Sequence, residues 1–518
     1  MRNRFAQLRP VLGYVGTVLM VFSGIVLLPL LVLFFSGQTD PEEVVPNVFL
    51  IPAAASFAVG FAFHHIGKAH ALNTSQSMLV TVFGWLAVPA VGALPYWLMK
   101  VPSRAAAVRD AAGIANSAHV SFLDAFFESM SGLTTTGMTM FAGLEYLPKS
   151  ILFWRSLTEW VGGLGILSFF ILVLFSAGAA HTLYGAESTK IFSRRPVPGI
   201  FNTVKVLWTI YAGFTLVAFA AFWVEGVGFF DAMNLALTTI STGGFAPYDA
   251  NAGYYARNAA LYPHYKAIEY TIIIGMLAGS ISFLVHFRLF RGNVSALWNT
   301  SEMRMWWYVL VAATVLVMYD ATNHGLFTSR ADVEDKFRTA LFQTTSIFTT
   351  SGFNTKDLAH QSIFSSLSRQ VFLLLMVIGA AAGSTSSGIK LSRVVLLGKA
   401  VARELHAAVC PHRAVKPFVL DGETIESDEV IRTAGVVFAW IALVAAGGIV
   451  TAIFSDVGAL ESLSAMASAA FNVGPCFITN TALMHLHPVI KVTYILGMLA
   501  GRLEILPVLL VFNRRAWV

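Results

Sequence analysis

The chain has 518 residues, of which 56% are hydrophobic and only 12% are charged. A soluble domain carries about a quarter charged residues, so the composition indicates an integral membrane protein. The two cysteines, Cys410 and Cys476, lie far apart, which excludes a disulfide framework and a cysteine-built metal site. The basic residues behind the net charge of +6 are dispersed between apolar segments, so the charge does not favour nucleic-acid binding.

The N-terminal region carries two long apolar runs. Arg2, Arg4 and Arg9 precede the first run, residues 11–35, which is too long to be the apolar core of a signal peptide. A second run follows at residues 45–63, and no loop motif separates the two. We therefore expect residues 1–76 to form a two-helix unit of their own.

A pattern of long, short and long apolar segments then recurs four times. The long segments approach the roughly 20 residues that cross a bilayer, whereas the middle ones are too short. The segments are 78–99, 122–136 and 151–175; 204–224, 230–242 and 267–290; 306–318, 337–351 and 371–397; and 430–454, 460–473 and 489–512. The expected divisions are repeat 1 (77–180), repeat 2 (181–300), repeat 3 (301–400), a cytosolic hairpin or linker (401–429) and repeat 4 (430–518). Ten spans result.

Each short segment leads into a glycine-containing loop. The loops read L-T-T-T-G-M (133–138), T-I-S-T-G-G-F (239–245), I-F-T-T-S-G-F-N (347–354) and F-N-V-G-P-C (471–476). Their pivotal glycines are predicted to be Gly137, Gly243, Gly352 and Gly474, which are 106, 109 and 122 residues apart. Such recurrence indicates internal repeats. Glycines that only permit close helix packing would explain one loop, but not four in the same context.

Irregular backbone at membrane depth is tolerated only where protein buries it or where it lines a watery cavity. Four such loops around one axis can pool their carbonyl oxygens to replace the water shell of a cation. Glycine suits the turning position because it reaches positive φ without a Cβ penalty. The short helices also direct their dipoles at the axis, with a sign that depends on which end points inward.

The placement of Lys and Arg predicts the orientation in the membrane. With the N-terminus inside, most basic residues fall on the cytosolic side and both termini are cytosolic. Most acidic residues, including Asp124, Asp231 and Glu461, fall on the outer side. An acidic mouth attracts cations.

The last long segment of repeat 3 is interrupted by G-A-A-A-G-S-T-S-S-G at residues 379–388. Each glycine costs a helix about 1 kcal/mol, so this stretch is predicted to break the helix; the alternative is a kink absorbed by packing. Arg502 lies within the final segment, where a charge is costly unless it faces water or a partner. Its guanidinium is therefore expected to bond free carbonyl groups of the interrupted stretch; the alternative is that Arg502 reaches the cytosolic interface.

These features together resemble the Trk/Ktr/HKT superfamily of potassium transporters, most closely its bacterial TrkH type. The resemblance rests on the four loops and on R-S-L-T-E-W-V-G-G-L-G-I (155–166), A-A-G-S-T-S-S-G-I-K (381–390), G-R-L-E-I-L (501–506) and a hairpin-like stretch at 416–430. It implies an all-α polytopic membrane protein with four pseudo-symmetric helix–pore loop–helix repeats around one central pore, plus two N-terminal helices. It further implies potassium uptake across the bacterial inner membrane, a homodimer, and a cytosolic nucleotide-binding regulatory ring (TrkA-like).

The resemblance also assigns residues. The expected K⁺ filter comprises Thr135, Thr136, Gly137, Ser241, Thr242, Gly243, Thr350, Ser351, Gly352, Asn472, Val473 and Gly474. The expected gate comprises Gly379, Gly383, Ser384, Thr385, Gly388, Lys390 and Arg502. K⁺ as transported ion is the only metal expected, at the filter. The fourth loop departs from the pattern because Asn-Val replaces the hydroxyl residues.

Two other classes remain for comparison. A secondary carrier coupled to H⁺ or Na⁺ typically shows inverted repeats, whereas these four repeats are parallel; the residues alone leave the coupling open. An enzyme would need convergent His, Asp or Glu within the spans, and the sequence offers none, so no enzymatic activity is expected. The chain also lacks a Walker loop and a dinucleotide fingerprint, so a nucleotide would bind a partner. Besides that partner and the second subunit of the homodimer, membrane lipid is expected to contact the protein, and nucleic acid is not.

Overall fold

A computed structural model describes residues 2–35, 46–67, 72, 74–114, 117–175, 200–323, 333–409 and 418–513. The architecture is that of a helical polytopic membrane protein, as predicted. The helices of the first half are α1 (Arg2–Val26), α2 (Pro29–Phe35), α3 (Asn47–Ile66), α4 (Thr74–Leu98), α5 (Ser103–Ala111), α6 (Phe122–Leu133), α7 (Lys149–Phe175), α8 (Ile200–Val224), α9 (Phe229–Ile240), α10 (Gly253–Arg257), α11 (Tyr265–Ser280) and α12 (Phe283–Phe290). Those of the second half are α13 (Ser301–Asn323), α14 (Val333–Phe348), α15 (Ser366–Val377), α16 (Leu391–Val409), α17 (Ser427–Phe454), α18 (Ala459–Ala470), α19 (Asn480–Met484), α20 (Pro488–Leu503) and α21 (Ile505–Val511).

The N-terminal pair packs through glycines. Helices α1 and α3 cross where Gly16 meets Gly60, and a Cβ atom on Gly60 would lie 2.7 Å from the Gly16 carbonyl oxygen. Only residues without a side chain allow two helix backbones to approach so closely. The pair then rests against α4 and α7 of the first repeat.

Each repeat has the predicted order of a long helix, a short pore helix and a second long helix. The pore helices are α6, α9, α14 and α18, of 12, 12, 16 and 12 residues, too short to cross a bilayer. Among the described residues, six helices are long and apolar enough to span one, and the bent pair α11–α12 makes a seventh. Three further spans were predicted. One is α7, whose final side chains lie outside the described residues. The other two, residues 371–397 and 489–512, are each divided into two helices.

Two breaks contradict the predicted continuous spans. Residues 267–290 are not one helix, because α11 and α12 meet at 101° around Ile281 and Ser282. Residues 489–512 are also divided, because Glu504 adopts φ +59° between α20 and α21. The first break is supported from another repeat, since the Phe283 N–H donates to the Gly383 carbonyl at 3.0 Å.

The second helices of three repeats receive the C-terminal ends of the pore helices through glycine. Cβ atoms on these glycines would lie 2.7 Å or less from the last carbonyl oxygen of a pore helix. The pairs are Gly162 with Leu133, Gly279 with Ile240, and Gly501 with Ala470. Small residues thus fix where the pore helices end.

Polar contacts between neighbouring repeats connect them in cyclic order. Three ion pairs, each with a nitrogen–oxygen distance of 2.6 Å, join a pore helix to the second long helix of another repeat. They are Asp124–Lys491 (repeats 1 and 4), Glu461–Arg369 (repeats 4 and 3) and Arg338–Glu269 (repeats 3 and 2). The Asp249 carboxylate completes the cycle by accepting the backbone N–H of Gly143 at 2.7 Å (repeats 2 and 1).

A two-stranded hairpin, β1 (Val419–Leu420) and β2 (Glu423–Thr424), is the strand structure among the described residues. Its turn residues, Asp421 and Gly422, both have positive φ, as a tight hairpin requires. The Asp421 carboxylate accepts the Ser301 hydroxyl at 2.6 Å, which anchors the hairpin to the start of α13. The hairpin expected from residues 416–430 is therefore present, while residues 410–417 lie outside the described set.

Candidate functional site

All four pore helices end in the same backbone motif. One residue turns into the left-handed region, and the next residue donates its N–H to the carbonyl five positions earlier, which together form a Schellman ending. The left-handed residues are Thr135, Thr242, Thr350 and Asn472, with φ of +56°, +54°, +53° and +52°. The N–H donors are Thr136, Gly243, Ser351 and Val473, at 2.8–3.0 Å. A β-branched residue at positive φ costs about 1–3 kcal/mol and persists where its surroundings enforce it.

This motif corrects the alignment of the second loop. Gly243 was predicted to be the turning glycine, yet the glycine with positive φ is Gly244, at +86°. Gly137, Gly352 and Gly474 do have positive φ, at +81°, +80° and +99°. Thr242 therefore corresponds to Thr135, and Gly243 corresponds to Thr136, each one position earlier in the motif than predicted. Ser241 is displaced from the expected filter segment and caps α9 with φ −73°.

The four loops contact one another in a closed ring. A Cβ atom on the turning glycine of each loop would lie 2.6 Å or less from a carbonyl oxygen of the next loop. The contacts run from Gly137 to the Gly243 carbonyl, from Gly244 to Ser351, from Gly352 to Val473, and from Gly474 to Thr136. Four equivalent carbonyl oxygens thus lie at one level, each held against a glycine that has no room for a side chain.

A cavity of about 390 Å³ lies over one end of the ring, which we call the mouth. All four turning glycines line it, including Gly244 and not Gly243. Asp249 and Asp357 also line this cavity, whereas Asp124, Asp231 and Glu461, which were predicted for the acidic mouth, do not. Burial, together with the neighbouring Asp249 carboxylate, raises the pKa of Glu145 in the turn beside the mouth.

The structure also gives the sign of the helix dipoles at the ring. Each pore helix runs directly from its C-terminal end into the ring loop. The C-terminal end carries a partial negative charge, because its last carbonyl groups lack intrahelical partners. Four negative helix ends therefore face the ring and favour a cation there.

A buried network supports the first two loops from behind. The Arg155 guanidinium pairs with Glu128 at 2.8 Å, and their side chains are only 2% and 0% exposed. Arg155 also donates to the Ala246 carbonyl at 3.1 Å, and Glu128 accepts the Met140 N–H at 2.7 Å. A buried pair stabilises only if its remaining hydrogen-bond sites are satisfied. Here those sites hold the segments that follow both loops.

The predicted break in repeat 3 is confirmed. We call residues 378–390, between α15 and α16, the inserted loop. Its base is closed by bonds from Gly379 N–H to the Ile389 carbonyl (3.0 Å) and from Ile389 N–H to the Val377 carbonyl (3.1 Å). Gly379 and Gly388 meet where neither has space for a Cβ, and Gly383 turns at φ +76°.

The tip of the inserted loop contacts the ring residues at the end opposite the mouth. The Thr385 and Thr242 hydroxyls lie 2.9 Å apart, and the Ser387 N–H donates to the Thr350 hydroxyl at 3.0 Å. The Ser386 hydroxyl donates to the Thr349 carbonyl at 2.7 Å. The inserted loop therefore lies against this end of the second and third loops.

Arg502 bonds to the inserted loop, as predicted, and also to repeat 1. Its Nη1 donates to the Thr385 carbonyl at 3.0 Å and approaches the Thr135 hydroxyl at 3.4 Å. Its Nη2 donates to the Gly163 carbonyl at 2.6 Å and also to the Gly162 carbonyl. This side chain therefore faces polar partners within the protein.

Comparison with known proteins identifies the family. The profile of the TrkH family, described as a cation transport protein, matches residues 58–516. The chain belongs to the TrkH family. It is 32% identical to the Trk system potassium uptake protein TrkH of Vibrio parahaemolyticus and 30% identical to that of Escherichia coli K12, with 98–99% of this chain and 99% of each relative covered. It is 31% identical to an uncharacterised cation transporter of Methanocaldococcus jannaschii, with 90% of this chain and 88% of the relative covered.

A solved relative confirms the fold. The chain resembles the crystal structure of the potassium transporter TrkH from Vibrio parahaemolyticus with a TM-score of 0.81 and 29% identity. The likeness covers 99% of this chain and 100% of that one. The described architecture is therefore that of a TrkH-family membrane transporter.

The other predicted site residues, Asn472, Ser384 and Lys390, bond within their own segment or to a neighbouring one. In the fourth loop, the Asn472 amide donates to the Thr136 hydroxyl at 2.8 Å and to the Met498 carbonyl at 3.0 Å, so the departure from a hydroxyl residue provides a link to repeat 1. Ser384 bonds within the inserted loop, to Ala381, and Lys390 donates to the Ser386 carbonyl near its base.

Sequence reasoning missed residues that hold the ring of this TrkH-family protein. The Glu159 carboxylate accepts the Phe245 N–H with both oxygens at 3.1 Å, and Asn251 contacts two of the loops. Glu159 and Arg155 lie in an apolar span, and a charged residue in such a span is a usable signal of function. Asn251 gave no signal, because an asparagine in a polar loop is ordinary.

Proposed function

We propose that this TrkH-family protein mediates potassium uptake across the bacterial inner membrane through a pore formed by the four ring loops. The proposal rests above all on the closed cycle of carbonyl oxygens and glycines. Such a ring provides several oxygens at fixed positions, which is what a dehydrated monovalent cation requires. The relatives from Vibrio parahaemolyticus and Escherichia coli bear the name of potassium uptake proteins, which supports K⁺ as the ion.

The proposed selectivity filter has three residues from each loop. After the correction of the second loop it comprises Thr135, Thr136, Gly137, Thr242, Gly243, Gly244, Thr350, Ser351, Gly352, Asn472, Val473 and Gly474. The mouth is the extracellular entrance, where Asp249 and Asp357 attract cations, and both termini are cytosolic. Glycine at all four turning positions resembles the potassium-selective members of the superfamily.

The inserted loop and Arg502 act as the gate in this proposal. Thr385 and Ser387 contact the ring, and Arg502 places a permanent positive charge at the same end, which repels a passing cation. Opening requires the inserted loop to move aside. The α16 helix begins directly after the inserted loop at Leu391, so it is the element on which a cytosolic partner can pull.

The protein is proposed to be a homodimer with one pore per subunit, surrounded by lipid and regulated by a cytosolic nucleotide-binding ring. Basic residues within 190–195, 288–304 and 390–413 offer that ring a positive docking face, of which residues 190–195 and 410–413 lie outside the described residues. Purification from native membranes, with and without ATP, ADP or NADH, tests the partner. Failure to recover a nucleotide-binding subunit under every condition would count against it.

Flux in liposomes tests the transport function. Purified protein is reconstituted, and uptake of K⁺, Rb⁺ and Na⁺ is followed under imposed ion gradients and membrane potentials. We expect K⁺ and Rb⁺ to enter and Na⁺ to be largely excluded. A preference for Na⁺ over K⁺ would refute the proposal. Dependence of K⁺ uptake on an imposed H⁺ or Na⁺ gradient would instead identify the coupled carrier.

A further inference from the structure

Residues 248–253 form a strap across the mouth that contacts three of the four loop regions. At one end of the strap, the Asp249 carboxylate accepts the N–H groups of Gly143 at 2.7 Å and Leu144 at 3.1 Å in repeat 1. At the other end, the Gly253 N–H donates to the Asn354 carbonyl at 3.2 Å in repeat 3. Asn251 lies between them and contacts the second loop itself.

The Asn251 side chain bridges two ring loops. Its Nδ2 donates to the Gly244 carbonyl at 2.9 Å, and its Oδ1 accepts the Asn354 N–H at 3.2 Å. The first partner is the turning glycine of the second loop, and the other follows the turning glycine of the third loop by two residues. This bridge needs both a donor and an acceptor on one short side chain, which an amide has and a carboxylate lacks.

The backbone of Asn251 is arranged for this contact. It adopts φ +51°, a conformation that asparagine tolerates better than most residues. Its own N–H donates to the Tyr248 carbonyl at 2.9 Å, and its Oδ1 also accepts the Ala252 N–H at 2.8 Å. The left-handed turn directs the amide back toward Gly244, which lies seven residues earlier.

The bond to Gly244 fixes a peptide plane within the ring. Gly244 has φ +86° and is packed against the Ser351 carbonyl without space for a Cβ atom. A rotation of the Gly244 peptide would therefore disturb the contact between the second and third loops. Discrimination between cations depends on the number and placement of the carbonyl dipoles.

We propose that Asn251 is a positioning residue that sets ion selectivity by holding the Gly244 carbonyl and joining the second loop to the third. The inference rests on the proposed function of the ring as a cation filter. Asn251 acts through Gly244 and does not itself contact the ion. The strap gives the second and third loops a shared support on the mouth side.

The experiment compares variants of the full-length protein in liposomes by their K⁺-to-Na⁺ permeability ratio. Asn251→Ala removes the whole amide, and Asn251→Gly removes it while favouring positive φ. Asn251→Asp replaces the donor with a carboxylate oxygen and adds a negative charge. We expect all three to lower the ratio by about fivefold, the factor for one neutral hydrogen bond. Asn258→Ala is the matched control, because the Asn258 amide donates to the Tyr254 carbonyl at 2.9 Å in the same region.

The thermal unfolding midpoint is measured for every variant alongside the flux. An unchanged ratio in Asn251→Gly and Asn251→Asp, with or without a lower midpoint, would overturn the inference and leave Asn251 as a purely structural residue. The Asn258→Ala ratio should equal that of the unmodified protein, and a matching fall would overturn the inference as well. An unmodified protein with no preference for K⁺ would instead refute the proposed function, so the two failures are distinguishable.

Discussion

Replacement of Arg502 by alanine should open the proposed gate. Arg502 makes two kinds of contact: its bonds to the Gly162 and Gly163 carbonyls lie within fixed helices, whereas its bond to the Thr385 carbonyl at 3.0 Å reaches the inserted loop. Only the latter is lost when the inserted loop moves. A hydrogen bond from a charged donor contributes about 1.5–3 kcal/mol, so the variant should shift the open-to-closed ratio by about 10- to 150-fold.

The measurement is Rb⁺ uptake by liposomes that contain the purified protein without a cytosolic partner. Deletion of residues 381–387 should raise uptake as well, and the double variant should exceed neither single one by much, because the deletion already removes Thr385. Permeability ratios should change little, since Arg502 and the inserted loop contact the filter threonines and not the turning glycines. Arg291→Ala is the control for loss of a positive charge, because Arg291 is exposed and stacks on Phe287.

The opposite result would refute the reasoning. If both Arg502→Ala and the deletion lower uptake while the unfolding midpoint is unchanged, the inserted loop supports the pore and does not obstruct it. Equal uptake in all variants would mean that the inserted loop does not limit ion flux under these conditions. Additive gains would show that Arg502 and the inserted loop act through separate contacts.

Three further changes test the ring and its support. Gly137→Ser should raise Na⁺ permeability, measured as a flux ratio, because its Cβ would displace the Gly243 carbonyl; unchanged selectivity would contradict this. Asp124→Lys should lower the thermal unfolding midpoint, because it breaks the 2.6 Å ion pair with Lys491. Adding Lys491→Asp reverses both charges and should restore the midpoint; an unchanged midpoint in the single variant would show that the pair does not stabilise the fold. Arg338→Met should cost about 3–5 kcal/mol of unfolding free energy, because its buried carboxylate partner loses its charge pair; a cost below 1 kcal/mol would contradict it.

The sequence was sufficient to predict the repeats and the break, because both depend on local composition. Four glycine-containing loops after short apolar segments became four pore helices with the same ending. Residues 379–388 break the helix as their glycines and hydroxyls require. The contact between Arg502 and Thr385 followed from the need of a buried guanidinium for free carbonyls.

The errors arose where distant parts of the chain decide the local structure. The second loop contains two adjacent glycines, and only the left-handed turn at Thr242 shows that Gly244 corresponds to Gly137. The bend between α11 and α12 has no proline, but Gly279 and Ser280 directly precede it, and such a pair is a common site of helix kinks. This local signal was overlooked, and the bend is further supported by the Phe283 bond to Gly383, a residue 100 positions later.

The contacts beneath the ring couple permeation to closure. On the proposed pore, the hydroxyls of Thr135, Thr242 and Thr350 are the oxygens that the innermost ion would meet, and in the closed conformation Arg502 and the inserted loop engage all three. A hydroxyl oxygen that already accepts a hydrogen bond is a weaker ligand for a cation, because one of its two lone pairs is occupied. The ion and the inserted loop are then competing ligands for one set of oxygens. If closure weakens K⁺ binding by some factor, thermodynamic reciprocity requires that cytosolic K⁺ weaken closure by the same factor. The transported ion therefore helps to control its own gate.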